Sequence, residues 1–191
     1  NDIKLFTVVL MLVGAAVIGI FYALLNDIVL GTRLQQIWST ARVPQRHHYI
    51  VCGLGGVGIE IIRQLNASGH EVVVIERDPN NRFLSLAQSL KVPVIQGEAN
   101  LAATLQLAYV EGASALLAVT SNDVTNLEIA LTAKGLSAKL PVIVRNQNPQ
   151  FAPMAQRVFD FEAVFSPAEL AAPSFACLLY TSPSPRDVEE S

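Results

Sequence analysis

The sequence predicts an α/β protein, a doubly wound parallel sheet preceded by one transmembrane helix. Hydrophobic residues make up 51% of the 191 residues and charged residues only 15%, against about 25% charged in a typical soluble domain. An uncharged stretch near the N-terminus accounts for much of this excess. Beyond it, short apolar runs alternate strictly with longer amphipathic ones, which is the pattern of strands and helices in a parallel sheet.

The first predicted element is the transmembrane helix. No side chain in residues 5–26 is charged at neutral pH, and a helix of this length would be roughly 33 Å long at about 1.5 Å per residue. A bilayer core is about 30 Å thick. A secretory signal peptide fits less well, because it has a shorter apolar run followed by a small-residue cleavage site. We therefore assign residues 1–26 to a transmembrane helix.

Residues 27–47 are interpreted as a linker. Three arginines follow the helix within about 20 residues, whereas Lys4 is the one lysine or arginine before it, so the positive-inside rule places the C-terminal side in the cytoplasm. Trp38 suits a membrane-surface segment, and a helical stalk fits equally well. We expect the helix to lie in the cell (inner) membrane in contact with lipid, and the rest of the chain to be cytoplasmic.

Six short apolar runs in residues 48–165 predict strands. They are nearly continuous in apolar residues, as in strands that are buried on both faces of a parallel sheet. The predicted strands are 49–52, 71–75, 92–95, 115–119, 142–144 and 163–165. The amphipathic stretches between them predict helices over 59–67, 82–90, 101–109, 125–134 and 149–159. In a doubly wound fold, ligands bind outside the carboxyl ends of the strands.

A glycine-rich motif follows the first predicted strand directly. It has the form G-x-G-x-x-G between a strand and a helix, the context that makes the motif specific for Rossmann-like dinucleotide-binding domains. Gly53 permits the tight turn, Gly55 lets the backbone approach a pyrophosphate, and Gly58 allows close packing of the helix. Unpaired N–H groups at the helix N-terminus would bind the phosphates. The residues assigned to the cofactor site here are Gly53, Leu54, Gly55, Gly56, Val57 and Gly58.

An acidic residue closes the second predicted strand. Glu76 lies 18 residues after Gly58, where a carboxylate would accept hydrogen bonds from ribose hydroxyls and would disfavour a 2′-phosphate. The neighbouring Arg77 would accommodate a phosphorylated ribose, although an arginine in a polar turn is by default a solvated charge. We assign both residues to the site. The alternative is a Rossmann-shaped domain whose pocket binds nothing.

Residues after the third, fourth and fifth predicted strands face the same crevice. Those assigned to the site are Gly97, Glu98, Ala99, Thr120, Ser121 and Arg145. Each also has a structural interpretation as a turn, a cap or a surface charge. We expect Glu98 and Thr120 to contact the ligand, because the third and fourth strands border the adenosine half of such a cleft. Asn122 and Asp123 suit the N-cap of the following helix, and for Asp123 we favour the cap over a ligand contact.

Charge and residue pattern exclude several classes of protein. The net charge is -3 and the basic residues are spread singly, so there is no basic stripe and we expect no nucleic-acid partner. Cys52 and Cys177 fit a reducing compartment better than a disulfide framework, and no metal site is predicted. After Gly58, the predicted domain contains only His70 as a histidine, in a turn away from the crevice. We therefore predict no catalytic residues and no enzyme.

Taken together, these residues resemble the RCK domain (regulator of K+ conductance), also called the TrkA-N or KTN domain. The family pattern is a glycine fingerprint, an acid ending the second strand, Gly-Asp-Ala after the third, and Thr-x-x-Asp-x-x-Asn after the fourth. Glu98 departs from the pattern by lengthening the usual aspartate. The matching positions are Gly53, Gly55, Gly58, Glu76, Gly97, Glu98, Ala99, Thr120, Asp123 and Asn126.

The resemblance implies a regulatory function. Such domains bind NAD(H) or adenine nucleotides such as ATP and ADP, and they assemble into a cytoplasmic ring that gates potassium channels or transporters. With a hydrophobic helix just upstream, the chain resembles a subunit of a ligand-gated potassium channel, a homo-oligomer with a tetrameric pore lined by that helix. Two alternatives stay open: the KTN domain of a cation/proton antiporter, and an NAD-dependent oxidoreductase.

The resemblance also sets the expected domain limits. We assign residues 48–165 to the RCK N-terminal domain and residues 166–176 to the start of a crossover helix. Residues 177–191 are rich in Ser and Pro, and we interpret them as a non-native tail that continues no regular structure. Since a selectivity filter and the second half of the domain are absent from these 191 residues, we expect the chain to be a fragment of a larger channel subunit.

Overall fold

The chain divides into two units, Asn1–Trp38 and Ser39–Ser191. The computed structural model describes residues 2–34, 42–148 and 150–181. The first unit is one helix, α1 (Asp2–Leu34), which continues past the predicted end at residue 26. Its segment Ile3–Ala23 has a mean hydropathy of 2.5 and is long and apolar enough to cross a membrane. The rest of the predicted linker, residues 35–41, lies outside the described residues.

The second unit alternates strands and helices along the chain. Its strands are β1 (Tyr49–Cys52), β2 (Val72–Glu76), β3 (Val94–Gln96), β4 (Ala115–Ala118), β5 (Val142–Arg145) and β6 (Ala163–Phe165). Its helices are α2 (Gly56–Ala67), α3 (Leu84–Ser89), α4 (Ala102–Leu107), α5 (Asp123–Leu136), α6 (Ala152–Phe159) and α7 (Pro167–Thr181), with a short 3₁₀ helix at Val110–Gly112. The predicted strands and helices are all present, and the 3₁₀ helix was not predicted.

All strands are parallel and form one sheet in the order β3-β2-β1-β4-β5-β6. The order reverses direction between β1 and β4, which is the topological switch point of a doubly wound sheet. In the register of the sheet, Cys52 pairs with Ile75 of β2 and Ala118 of β4. The residues that follow these strands therefore meet at one edge of the sheet, the carboxyl edge, as the sequence predicts.

Strand residues point alternately into two hydrophobic cores. In β1, Ile50 and Cys52 join a cluster with residues of α4 and α5, whereas Val51 joins a cluster with residues of α2 and α3. Ile129 of α5 and Ile62 of α2 are fully buried in the two clusters. Burying such a side chain contributes about 1.5–3 kcal/mol. The two-sided burial explains why the strands are nearly continuous in apolar residues.

The end of the linker packs against the amino edge of the sheet. The buried ring of His48 donates a hydrogen bond from Nε2 to the carbonyl of Ala108 at 2.8 Å. The N–H of His47, a residue with a φ of 57°, donates to the carbonyl of Gly112 at 2.9 Å. A Cβ atom on Gly112 would overlap the carbonyl oxygen of Gln45. The chain from Gln45 onward is thus fixed to the domain.

The C-terminal helix differs from the expectation. We expected residues 177–191 to continue no regular structure, but α7 extends to Thr181, so the expectation is wrong for residues 177–181. The residues from Cys177 to Leu179 are apolar and contain no helix breaker, which lets the helix continue. Residues 182–191 lie outside the described residues.

Candidate functional site

The glycine-rich turn begins at the end of β1. Gly53 has a φ of 104°, and its N–H donates to the carbonyl of Ile75 at 2.9 Å. A Cβ atom at Gly53 would lie 3.0 Å from both the backbone nitrogen and the Cα of Thr120. A side chain is therefore excluded by conformation and by space. The turn packs across the switch point against the residue that follows β4.

Gly58 brings helix α2 onto the turn. A Cβ atom at this position would overlap the carbonyl oxygen of Gly53, and Gly58 is itself buried. Any larger residue would push the start of α2 away from β1. This close packing is the structural role that the motif predicts for its last glycine.

Gly55 and Gly56 are exposed and face open space. No described atom lies within 4 Å of a Cβ built on either residue. Gly55 is the N-cap of α2, and no described side chain caps this helix. The first N–H groups of a helix have no partner within the helix, and they lie at the positive end of its dipole. This part of the turn can therefore bind an anionic group.

Leu54 and Val57 fix the turn to the core. Leu54 is fully buried, and Val57 is half-buried against the same hydrophobic cluster. The N–H of Leu54 donates to Oε2 of Glu76 at 2.7 Å. The two apolar side chains thus anchor the backbone whose N–H groups face the crevice.

Glu76 holds the turn from the end of β2. In addition to the Leu54 contact, its Oε1 accepts a hydrogen bond from the N–H of Asp78 at 2.8 Å. A carboxylate has about four acceptor positions, so each oxygen keeps capacity for a ligand hydroxyl. Glu76 is half-buried and the neighbouring Arg77 is exposed. The structure thus gives Glu76 a supporting contact that the sequence did not predict.

The end of β3 lies beside Glu76. The N–H of Gly97 donates to the carbonyl of Glu76 at 2.9 Å, and a Cβ on Gly97 would lie 3.2 Å from the side chain of Thr104. Glu98 is exposed, whereas Ala99 is buried in the hydrophobic core. Of the two residues after Gly97, Glu98 is therefore the one whose side chain is accessible to a ligand.

Arg145 lies at the end of β5 and folds against the end of β4. Its Nη1 donates to the carbonyl of Thr120 at 3.0 Å, and its Nε is buried with no partner among the described residues. Ser121 is exposed, and its carbonyl accepts a hydrogen bond from Nε2 of Gln147 at 3.3 Å. Arg145 is half-buried, so the interpretation as a simple surface charge is wrong.

Of the two residues predicted to cap α5, Asn122 is confirmed and Asp123 is wrong. Asn122, with φ -109° and ψ 116°, is the N-cap, and its Oδ1 accepts a hydrogen bond from the N–H of Thr125 at 3.0 Å. Asp123 is the first helical residue, and its Oδ2 accepts from the N–H of Gln147 at 3.0 Å. Both residue types cap helices well, so residue type alone did not separate them. Asp123 instead joins α5 to the loop after β5.

The site prediction missed Asn126. This residue is fully buried in the first turns of α5, and its side-chain amide bonds to Thr120 and to the carbonyl of Arg145. The signal that could have found it was its place in the Thr-x-x-Asp-x-x-Asn pattern. Asn126 connects two of the strand ends that the prediction had placed at the crevice.

Other reactive side chains lie away from the crevice or are inert. Burial raises the pKa of the Cys52 thiol in β1 well above its usual range, so the thiol stays neutral. The ring of His70 packs edge-on against Tyr49, at the amino edge of the sheet, with ring centroids 5.1 Å apart. No group of three or more His, Cys, Asp or Glu side chains able to hold a metal ion occurs within the part of the chain that the structure describes.

A protein-family model and several curated relatives match this chain, and two of the relatives are described below. The model of the TrkA-N domain matches residues 49–167. The chain is 41% identical over 102 residues to a Trk system potassium uptake protein TrkA homolog of Archaeoglobus fulgidus, covering 53% of this chain and 22% of that protein. It is 33% identical over 102 residues to the voltage-gated potassium channel Kch of Escherichia coli, covering 52% of this chain and 24% of that protein. The chain thus spans about a quarter of the length of these relatives.

Many solved structures share the fold, among them the following three. The TrkA-N domain of the inner membrane protein ybaL from Escherichia coli has a TM-score of 0.62 at 24% identity, covering 70% of this chain and 97% of that one. The GsuK channel bound to NAD has a TM-score of 0.56 at 24% identity, covering 66% of this chain and 23% of that one. The Kef CTD of Shewanella denitrificans in AMP bound form has a TM-score of 0.60 at 19% identity, covering 75% and 86%. At these identities the likeness establishes the fold alone.

Proposed function

Because the chain belongs to the TrkA-N domain family, we propose that it is the nucleotide-sensing regulatory part of a membrane potassium channel. In this proposal NAD(H) or an adenine nucleotide such as ATP or ADP binds at the carboxyl edge of the sheet and controls K+ flow. The observation that carries the proposal is the open surface over Gly55 and Gly56, beside the uncapped N-terminus of α2 and the carboxylate of Glu76.

The chemistry of the crevice matches the parts of a nucleotide. The free N–H groups at the start of α2 would bind phosphate oxygens, because they are donors at the positive end of a helix dipole. The remaining acceptor positions of Glu76 would bind ribose hydroxyls. Glu98 and Thr120 would contact the adenosine half of the ligand, and Arg77, Ser121 and Arg145 border the same edge. Nucleotide binding in this proposal therefore depends on the residues whose donor or acceptor groups are not used within the protein.

Gating would follow from a difference in affinity. A ligand shifts a closed–open equilibrium only if it binds the two states with different free energies. In our proposal the ligand changes the arrangement of the domain, and residues 27–47 transmit that change to α1. The helix α1 would lie in the inner membrane in contact with lipid and line a tetrameric pore, with the domains forming a cytoplasmic ring. The length and hydropathy of Ile3–Ala23 support a membrane position.

Calorimetric titration tests ligand binding. The full chain in detergent is titrated with NAD, NADH, ATP, ADP and AMP, and we expect binding of at least one of them. Gly55→Asp should abolish binding, since it places a carboxylate in open space where phosphates would lie. Gly135→Asp is the matched control, because Gly135 is also exposed and has no atom within 4 Å of a built Cβ. Absence of binding to all five ligands would refute the proposal.

Ion flux tests the regulatory function. The complete polypeptide that contains this chain is reconstituted into liposomes loaded with K+, and efflux is measured with and without the ligand found by calorimetry. We expect the ligand to change the K+ flux at least severalfold in the unaltered protein and to leave the Gly55→Asp protein unchanged. Flux that is indifferent to the ligand would contradict gating while leaving ligand binding intact.

A regulatory domain of a potassium transporter is the second candidate. It is supported by the higher identity to a potassium uptake protein, 41%, than to a potassium channel, 33%. A cation/proton antiporter carrying this domain belongs to the same class. In the liposome experiment, an antiporter would couple K+ movement to a proton gradient, whereas a channel would conduct K+ without one.

A further inference from the structure

The side chain of Asn126 uses all of its hydrogen-bonding groups and has no exposed surface. Its Oδ1 accepts from the N–H of Thr120 at 2.8 Å and from Oγ1 of Thr120 at 2.7 Å. Its Nδ2 donates to the carbonyl of Thr120 at 3.1 Å and to the carbonyl of Arg145 at 2.9 Å. A primary amide has two N–H donors and an oxygen with two lone pairs, so no position is left for a ligand.

These partners fix the orientation of the amide. The N–H of Thr120 can only donate and the two carbonyls can only accept, so Oδ1 must face Thr120 N–H and Nδ2 must face the carbonyls. The Thr120 hydroxyl has two acceptors within reach, Oδ1 of Asn126 at 2.7 Å and the carbonyl of Asn122 at 3.2 Å, and its one proton goes to the shorter contact, with Asn126. That hydroxyl also accepts a hydrogen bond from the N–H of Asn122 at 3.3 Å. What Oγ1 of Thr120 can still offer is a lone pair, not a proton.

Asn126 also supports the glycine-rich turn through Thr120. The backbone nitrogen of Thr120 lies 3.0 Å from a Cβ built on Gly53, so the turn packs on the residue that Asn126 holds. The bond to the Arg145 carbonyl ties the end of β5 to the same amide. One buried side chain thus sets the relative positions of residues at the carboxyl ends of β1, β4 and β5.

We propose that Asn126 is a positioning residue of the nucleotide site, which holds Thr120 against Gly53 and makes its hydroxyl an acceptor. Thr120 then binds a hydrogen-bond donor of the ligand, a ribose hydroxyl or an exocyclic amine, and not a phosphate oxygen. This inference rests on the proposed function, because it assigns a role within the same site. Asn126 itself has no free group with which to touch the ligand.

The test compares two variants of α5 in the full chain in detergent. Asn126→Ala removes the amide, and Ile129→Ala is the control, since Ile129 is fully buried in the same helix and has no polar group. We expect both variants to unfold at a lower temperature. The dissociation constant for ADP should rise at least tenfold in Asn126→Ala, which loses the amide, and less than twofold in Ile129→Ala, which keeps it. Calorimetry is carried out below both unfolding transitions, so that it reports on the folded protein.

Hydrogen exchange gives a readout that needs no ligand. The Thr120 amide should exchange at least tenfold faster in Asn126→Ala than in the unaltered chain, whereas the Val119 amide, which donates to the Cys52 carbonyl at 3.0 Å, should keep its rate. A uniform increase over the domain would indicate general destabilisation and overturn the proposal. Ile129→Ala should leave the ratio of the two rates unchanged.

A second variant covers the case in which Asn126→Ala does not fold. Asn126→Asp keeps the size and Oδ1 of the side chain but turns an oxygen toward the carbonyls of Thr120 and Arg145, and we expect the same loss of ADP affinity. An ADP dissociation constant unchanged in the folded variants would overturn the positioning role while leaving the proposed function intact. If the unaltered chain bound none of the five nucleotides, the proposed function itself would fail, and the positioning role with it.

Discussion

The two sides of the glycine-rich turn are held by different chemistry. On the β2 side, the half-buried carboxylate of Glu76 accepts two backbone N–H groups and keeps free acceptor positions. On the β4 side, the fully buried amide of Asn126 makes four hydrogen bonds and keeps none free. A side chain with free acceptors can bind a ligand, whereas a saturated one can only maintain the shape of the site.

Burial explains why each residue type stands where it does. Removing an ionised carboxylate from water costs far more than removing a neutral amide whose hydrogen bonds are all made. Glu76 therefore suits a position that keeps some contact with solvent, and Asn126 suits one that has none. The comparison predicts that changes on the β2 side act mainly on affinity and changes on the β4 side mainly on the shape of the site.

The largest expected effect on stability comes from adding a side chain at Gly58, where α2 packs on the glycine-rich turn. Gly58→Val should lower the free energy of unfolding by about 3 kcal/mol, at the upper end for overpacking, because even its Cβ would overlap the Gly53 carbonyl. Urea unfolding followed by circular dichroism measures the loss. Gly56→Val is the control, since the space around Gly56 is open. Equal losses in the two variants would show that the turn is not held rigidly.

Removing the charge on the β2 side should act on ligand binding. Glu76→Gln should weaken ADP binding about tenfold, equal to about 1.4 kcal/mol, because a neutral amide oxygen is a weaker acceptor for ribose hydroxyls. The amide has one oxygen and can accept only one of the two backbone N–H groups that Glu76 accepts, so the free energy of unfolding should also fall, by about 1 kcal/mol. Glu111→Gln, at an exposed position on the 3₁₀ helix, serves as the control in calorimetry and urea unfolding. A larger effect on stability than on affinity would contradict the comparison.

Alkaline pH tests the burial of Cys52 in β1, the strand that leads into the glycine-rich turn. Burial raises the pKa of Cys52 in the folded state, so its contribution to stability is complete below the pKa of the unfolded chain and is lost as pH rises above it. Between pH 8 and pH 10 this loss should reach about 1.5 kcal/mol, given an unfolded pKa of about 8.5–9. Urea unfolding at both pH values measures the loss in the free energy of unfolding. This loss should be about 1.5 kcal/mol smaller in Cys52→Ala than in the unaltered chain. If the unaltered chain and Cys52→Ala lost the same free energy of unfolding between pH 8 and pH 10, the raised pKa of Cys52 would be contradicted.

The smallest expected effect comes from the Thr120 hydroxyl. Thr120→Val should lower the free energy of unfolding by about 1 kcal/mol, because the hydroxyl makes one short hydrogen bond, to Asn126 at 2.7 Å, and two long ones, to Asn122 at 3.2 and 3.3 Å, and the Thr120 backbone keeps its bonds to Asn126. Thr125→Val, in the first turn of α5, is the matched control in urea unfolding. A loss as large as that of Asn126→Ala would mean that the hydroxyl, and not the backbone contacts, holds the end of β4.

Local patterns predicted the fold and the turn. The strands follow from runs of buried residues such as Ile50 and Val51, which fill opposite faces of the sheet. The glycines follow from spacing, because the positive φ of Gly53 and the contact of Gly58 with the Gly53 carbonyl are local constraints, although Gly53 also packs on the distant Thr120. The hydrogen bonds at the ends of β4 and β5 were harder to predict, since Asn126 bonds to residues six and nineteen positions away in the sequence. Such pairs depend on how α5 packs, which residue types alone do not specify.

The hydrogen bonds of His47 and His48 place the end of the linker at the amino edge of the sheet. The proposed nucleotide site lies at the carboxyl edge, so a ligand bound there would be separated from the linker by the length of β1, about 13 Å for four residues. Under the proposed function, no ligand atom needs to reach the linker. Any effect of a bound ligand on the attached chain would instead have to pass through the sheet itself, from its carboxyl edge to its amino edge.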